Sequence, residues 1–298
     1  MISTSQRGAL LAAGALVINA FVWGVSWWPF RELQGHGLHP LWATALVYFI
    51  VFTSLLVFYR GSLKGFVAHP QLWLLAFASG MTNVGFNWAV TVGDVLRVVL
   101  LFYLMPAWSV LVAWALLGEK PTGASLLRLV IAMAGVLIVL KAPGATWPVP
   151  QGLPDWLAIM GGFSFALTNV MLSKLSHTPT GSRMLAMFAG GSVLAAGAAL
   201  VGMSQQIVPA PALRGMAPLL ILGLSLAFLI SNSALQYGAA RLAATTTALV
   251  MLTEILFASG SAALLGAAAF TPRIWLGGSL IVLAASMAAL APSADKHH

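Results

Sequence analysis

Glu254 sits inside an unbroken apolar run, residues 242–266, twelve residues from either end. A carboxylate that deep in hydrocarbon is disfavoured by ~2.5–3.5 kcal/mol even on lenient scales, so it faces a cavity or a partner. Three kinds of chemistry are open to it: carrying a proton, contacting a solute ammonium, or bonding a neighbouring helix as a neutral carboxyl. Two amide pairs accompany it. Asn83 and Asn87 are spaced to share a helix face, and Asn232 and Gln236 repeat that spacing. Amides donate and accept, so they suit an ammonium and a carboxylate alike; they also glue helices without binding anything. Asn19, Ser26, Thr168 and Asn169 carry the same two readings. Trp88, Tyr103, Trp108 and Tyr237 lie in the same runs, where they stack on a flat solute or pack. Pro106 interrupts its run near the middle, removing one donor and freeing one carbonyl. A kink there lines a cavity or is a static bend.

Other chemistries lack their residues. There is no cysteine, hence no thiolate nucleophile, disulfide or thiolate metal site. No H-E-x-x-H helix and no phosphate-cradling glycine loop occurs, and the histidines fall in loops or at the ends of apolar runs. A channel would show rings of pore charges. The net charge of +8 comes from Lys and Arg scattered singly between apolar runs, which excludes a nucleic-acid face. No metal or cofactor is expected. Arg128, two turns into its run, is read as reaching back to the interface. Asp94 and Arg97 flank the start of another run, as a helix-terminal charge or a guard at an outer opening.

These side chains need elements that lipid accepts. With 60% hydrophobic and 7% charged residues, the chain has too much apolar surface for a water-soluble fold. Ten runs approach the ~20 residues that cross a bilayer: 8–30, 38–59, 71–92, 96–117, 122–141, 154–173, 184–205, 216–238, 242–266 and 273–292. The runs are continuous and lack the alternation of a membrane barrel, which predicts an all-α polytopic protein. Pro70 and Pro272 stand near starts, and Trp27, Trp28, Trp42, Trp73, Trp147, Trp156 and Trp275 near ends. The first run is too long for a signal-peptide core and is read as a retained span.

With the N-terminus inside, Arg7, Arg60, Lys64, Lys120, Lys174, Arg183, Arg241 and Lys296 are cytoplasmic. Arg31, Arg97, Lys141, Arg214 and Arg273 are outside. The bias favours both termini in the cytoplasm. Shifting the chain by 149 residues brings Asn83 onto Asn232, Asn87-Trp88 onto Gln236-Tyr237 and Met105-Pro106 onto Glu254-Ile255. Five spans per half turn the second half over in the membrane, so the repeats are inverted and their interface holds the solute near the midplane. That predicts a cavity lined by spans 3, 4, 8 and 9, helped by 1 and 6. Ala258 to Ala263, Gly161-Gly162 and Gly190-Gly191 allow close helix approach.

Leu104-Met105-Pro106-Ala107-Trp108, followed by an apolar run ending Leu117-Gly118-Glu119-Lys120-Pro121, resembles the L-x-P-v…l-l-G-E pattern of EamA domains in the drug/metabolite transporter superfamily. Val22-Trp23-Gly24-Val25-Ser26 resembles the signature of that domain's first helix. The resemblance implies two EamA repeats, residues 1–145 and 146–298. It implies a ten-helix basket with a central cavity, in the manner of YddG-type aromatic amino-acid exporters. Its further implications are export of neutral amino acids or related metabolites by alternating access, a bacterial inner-membrane location, and a monomer or weak homodimer. The alternatives are a facilitative or proton-coupled multidrug or metabolite carrier, and an intramembrane enzyme. The second half departs from the pattern: Ile255 stands in place of proline and Ala267-Ala268 in place of Gly-Glu, so matched kinks in the fourth and ninth spans do not follow from the resemblance.

Overall fold

The computed structural model describes residues 4–59, 61–92, 98, 101–140, 150, 152–265 and 272–290. Arg60, Asp94, Arg97, Lys141, Trp147, Ala267-Ala268 and Lys296 to His298 lie outside them. The described residues form α-helices and no strand. Twelve helices are named here in chain order: α1 (Thr4–Gly35), α2 (Pro40–Phe58), α3 (Ser62–Ala68), α4 (Gln71–Val92), α5 (Met105–Leu117), α6 (Gly123–Leu140), α7 (Leu153–Lys174), α8 (Thr180–Ser204), α9 (Ala217–Ala239), α10 (Ala244–Met251), α11 (Glu254–Leu264) and α12 (Pro272–Ala289). Helices occupy the ten expected runs, and α3 is an extra short helix between the second and third. Six stretches are long and apolar enough to cross a membrane: 6–35, 40–58, 153–174, 180–204, 217–239 and 244–261. Shorter apolar helices lie at 105–117, 123–138 and 275–287. Asn83 and Asn87 interrupt the apolar run of α4. Helices suit this composition because each satisfies its own backbone where water is absent.

Glycines set the crossings. α4 packs on both α7 and α8. A Cβ on Gly85 would meet the Leu157 carbonyl oxygen at 2.7 Å, and one on Gly80 the Gly190 carbonyl oxygen at 2.5 Å. α1 packs on α9 and α11, α2 on α8, and α6 on α12. A Cβ on Gly24 would lie 2.7 Å from the Glu254 carbonyl oxygen, so the first helix is pressed onto the start of α11. On α11 itself, the Ser261 hydroxyl accepts from the Trp27 indole at 2.9 Å.

Loops gather by end. At one end, the Ser182 hydroxyl donates to the Ser62 carbonyl at 3.0 Å, joining α3 to the start of α8. This is the basic end: buried Arg183 donates to Leu175 O at 2.9 Å and to the Thr180 hydroxyl at 3.1 Å. At the opposite end the Trp42 indole donates to Pro209 O at 3.2 Å, and Gly215 lies against His36. There His39 caps α2: its Nδ1 accepts from Leu41 N at 3.2 Å, and burial holds the imidazole below its usual pKa. Arg128 reaches the end of a neighbouring helix. Its Nη1 donates to Met287 O at 3.2 Å, capping the last turn of α12.

The fourth and ninth spans are both broken. Around Tyr103-Leu104 the bonds shorten to three-residue turns, Leu104 N to Leu101 O at 3.3 Å and Ala107 N to Leu104 O at 3.0 Å. Around Leu252-Thr253 the same occurs, with Thr253 N to Val250 O at 3.1 Å and Ile255 N to Leu252 O at 3.1 Å. The loss of the proline from the second half therefore does not remove the matching break. The ninth breaks without proline, helped by the Thr253 hydroxyl, which donates to Val250 O at 2.8 Å and competes for the backbone.

Candidate functional site

The two breaks face one another across the bundle and are joined by side chains. Tyr103, in the first break, donates its hydroxyl to Glu254, which opens α11 just after the second. The first turn of a helix suits a carboxylate, because the helix dipole is positive there. Beside the pair lies a small cavity. Its walls are Trp23, Thr82, Asn83, Phe86, Asn87, Phe102, Phe165, Met251 and Glu254. They come from α1, α4, α7, α10, α11 and the segment before α5.

α4 supplies the polar wall. Asn83 accepts from the Tyr48 hydroxyl at 3.1 Å and donates to Ser79 O at 2.8 Å. Asn87 donates to the Thr44 hydroxyl at 2.6 Å. Thr44 and Tyr48 sit one turn apart on α2, matching the asparagine spacing on α4. The Tyr48 ring lies 4.9 Å from Phe188 and 6.0 Å from Phe228, and Phe228 lies 4.6 Å from Trp23. On the other side the Phe86 and Phe102 rings are 4.8 Å apart, and Phe102 lies 6.0 Å from Phe165. The site thus pairs one carboxyl and two amides with an aromatic wall.

The cavity volume is only about 30 Å³. That is room for about two waters, each needing ~10–15 Å³ on the same measure. A larger solute requires the walls to move. Gly85, between the two asparagines, sits in a tight seam beside the cavity, and Gly162 is pressed still more closely against the Phe102 backbone.

Of the expected site residues, the structure gathers Asn83, Asn87 and Glu254 on the lining and places Tyr103 directly behind Glu254. It does not bring the others there. Trp88 packs with Leu41, Ala199 and Val208. Trp108 meets Phe163 edge-on at 5.8 Å. Asn232 and Gln236 point their amides at the Met187 sulfur, at 3.5 and 3.2 Å. Tyr237 is 38% exposed and carries the Arg241 guanidinium 3.8 Å over its ring. Pro106 is buried in the first turn of α5, behind the cavity wall. Asn19 is helix glue, donating to Ser231 O at 2.9 Å and to its hydroxyl at 2.6 Å. The α9 amide pair is therefore off the lining and the α4 pair is on it.

Sequence reasoning did not single out Thr82, Phe86, Phe102, Phe165 or Met251 as lining, and it took Trp23 only as part of a motif. A signal was present for two of them: Phe86 lies one turn from both Thr82 and Asn83, and Met251 one turn before Glu254. Nothing in their types separates Phe102 and Phe165 from ordinary packing.

Residues 8–141 match the EamA-like transporter family. No match to a curated protein is found. A solved structure titled "Crystal structure of protein" is similar in fold, with a TM-score of 0.75 and 18% identity over 93% of this chain and 96% of that one. The family match supports a multi-pass membrane protein that handles small solutes.

Proposed function

We propose that this chain is a transporter of small organic solutes that works by alternating access and exports neutral amino acids, aromatic ones among them. The observation carrying the reading is the small cavity between two broken helices, lined by Asn83, Asn87 and Glu254 together with Trp23, Phe86 and Phe102. A carboxyl and paired amides suit the ammonium and carboxylate of an amino acid. The rings suit a flat apolar side chain. Alternating access fits the small free volume, because solute enters only when one side opens.

The architecture proposed with it is ten spans in two inverted repeats, residues 1–145 and 146–298. Its support is the helix pairing, which maps onto itself when the halves are exchanged. α4 on α7 corresponds to α1 on α9, α5 on α7 to α1 on α11, and α4 on α8 to α2 on α9. The matched breaks add to it, since Tyr103-Leu104 falls on Leu252-Thr253 under the 149-residue shift. The basic end is the cytoplasmic one by charge bias, with both termini there and the protein in a bacterial inner membrane. Glu254 exchanges a proton as the cavity switches sides.

The test is uptake into proteoliposomes of a labelled amino-acid panel, with and without a proton gradient. Transport of neutral amino acids is expected, with Glu254→Gln binding solute but losing its dependence on the gradient. No transport of any amino acid would overturn the substrate reading. Equal proton drive in Glu254→Gln would remove the coupling role and leave facilitated export.

A further inference from the structure

Hydroxyls inside this bundle normally bond a carbonyl one turn back. Thr82 donates to Ala78 O at 2.8 Å, Thr168 to Ser164 O at 2.9 Å and Ser225 to Ile221 O at 2.8 Å. Ser109 and Thr247 do not. Both are fully buried, and neither hydroxyl has a protein partner. Asn169 is also fully buried, with neither its amide nitrogen nor its oxygen partnered. Four unmet polar atoms on three residues are costly, because an unsatisfied buried group loses ~1–3 kcal/mol.

They belong to one place in the fold. α5, α7 and α10 meet in a three-helix junction toward the basic end, where Val112 and Ala113 pack on Val170 and Ala244. Ser109 is one turn deeper than Val112 and Ala113 on the same face of α5. Thr247 is one turn deeper than Ala244 on α10, and Asn169 precedes Val170 on α7. Two turns beyond Thr247, ~10 Å along the axis, comes Glu254. Tyr103, its hydrogen-bonded titratable neighbour, lies at the matching depth before α5.

The chemistry of the unmet atoms selects the ligand. A bare cation satisfies oxygens but cannot accept from the Asn169 N–H groups. Water does both, and a buried water makes about three such bonds. We propose that Ser109, Asn169 and Thr247 bind water in this junction, forming a wire that moves protons between Glu254 and the basic end of the bundle. In each hop one O–H bond breaks at the donor and one forms at the acceptor. A proton leaving the carboxyl thus appears as one proton at the far end, with no net gain or loss of water. This role rests on proton exchange at Glu254 as proposed above.

The test uses the full chain in lipid nanodiscs. Infrared spectroscopy in heavy water follows hydrogen–deuterium exchange of the Glu254 carboxyl, its band identified by loss in Glu254→Gln and brought up by acidification. Asn169→Leu and Thr247→Val are expected to slow that exchange about tenfold. Asn169→Ser, which keeps a hydroxyl, should stay near wild type and controls for folding. Hydroxyl-radical footprinting should oxidise Trp108 beside the junction in the wild type and much less in Asn169→Leu. Unchanged exchange in both apolar variants, or no oxidation of wild-type Trp108, overturns the wire. Failure of the Glu254 reading has another signature: proton-driven transport persists in Glu254→Gln although wild-type exchange and footprinting behave as expected.

Discussion

Replacing Gly85, on the cavity-lining helix α4, by alanine should cost stability. The new Cβ would lie 2.7 Å from the Leu157 carbonyl oxygen and 2.9 Å from both the Cα and N of Gly161. Ordinary contact begins at 3.4 Å, so the seam between α4 and α7 must open by about 0.7 Å. Every obstructing atom is backbone, and no rotamer change relieves the overlap. Overpacking of this kind costs ~1–3 kcal/mol, against a helix-propensity gain of ~0.8–1 kcal/mol for alanine over glycine. The expected net loss is up to ~2 kcal/mol. Gly161→Ala meets Phe86 N at 3.1 Å and the edge of the Phe102 ring at 3.3 Å, so its loss should be smaller. Gly197→Ala meets nothing within 4 Å on α8 and should gain ~0.5–1 kcal/mol. Denaturant titrations of the three variants in mixed micelles give the order Gly197→Ala, Gly161→Ala, Gly85→Ala from most to least stable. A Gly85→Ala protein as stable as Gly197→Ala would show that the α4–α7 contact is looser than described, and the tight packing beside the cavity would lose its basis.

Two further outcomes test the ends of the bundle. Arg128→Met removes the donor to Met287 O and should lower stability by ~1–2 kcal/mol, with Arg128→Lys recovering part; thermal unfolding of both variants measures it. His39 accepts through Nδ1, which protonation abolishes, and its folded pKa lies below the unfolded ~6.5. A lowered pKa means that its contribution is complete above that value and is lost as pH falls below about 6.5. His39→Asn, which caps without titrating, should flatten the wild-type decline in melting temperature over that range.

The helical runs were legible because a chain in lipid must satisfy its backbone locally, leaving long apolar stretches and little else. Asn83, Asn87 and Glu254 stood out because polar groups at that depth are expensive enough to signal a partner or a cavity. Which partner was not legible. Asn232 and Gln236 have the same types and spacing as the α4 pair, yet they turn toward Met187, because α9 presents that face to α8. The aromatic wall was hidden for a related reason: a phenylalanine on a cavity and one in packing have identical local sequence. Thr44 and Tyr48 could have been found, since their one-turn spacing on α2 mirrors the asparagines they hold. The short helix α3 left no apolar signal, being only seven residues long.

The break in the ninth span shows how the missing proline should be understood. Pro106 sits in the first turn of α5, and Ile255 occupies the same place in α11. A first-turn residue has no helical partner four back. Ile255 N reaches instead to Leu252 O at 3.1 Å, and the geometry that proline requires exists without proline. Ile255→Pro should then lose one short turn bond, ~1 kcal/mol, beyond the packing lost with the isoleucine side chain. At Leu229, in the interior of α9, proline should cost ~3 kcal/mol or more beyond its side chain. Measuring Ile255→Ala and Leu229→Ala alongside the prolines subtracts the side-chain terms and isolates the backbone. A backbone penalty at Ile255 as large as at Leu229 would mean that the ninth span is a continuous helix in the membrane. Glu254 would then lie in mid-helix, without the positive helix end that a broken span sets beside its carboxyl.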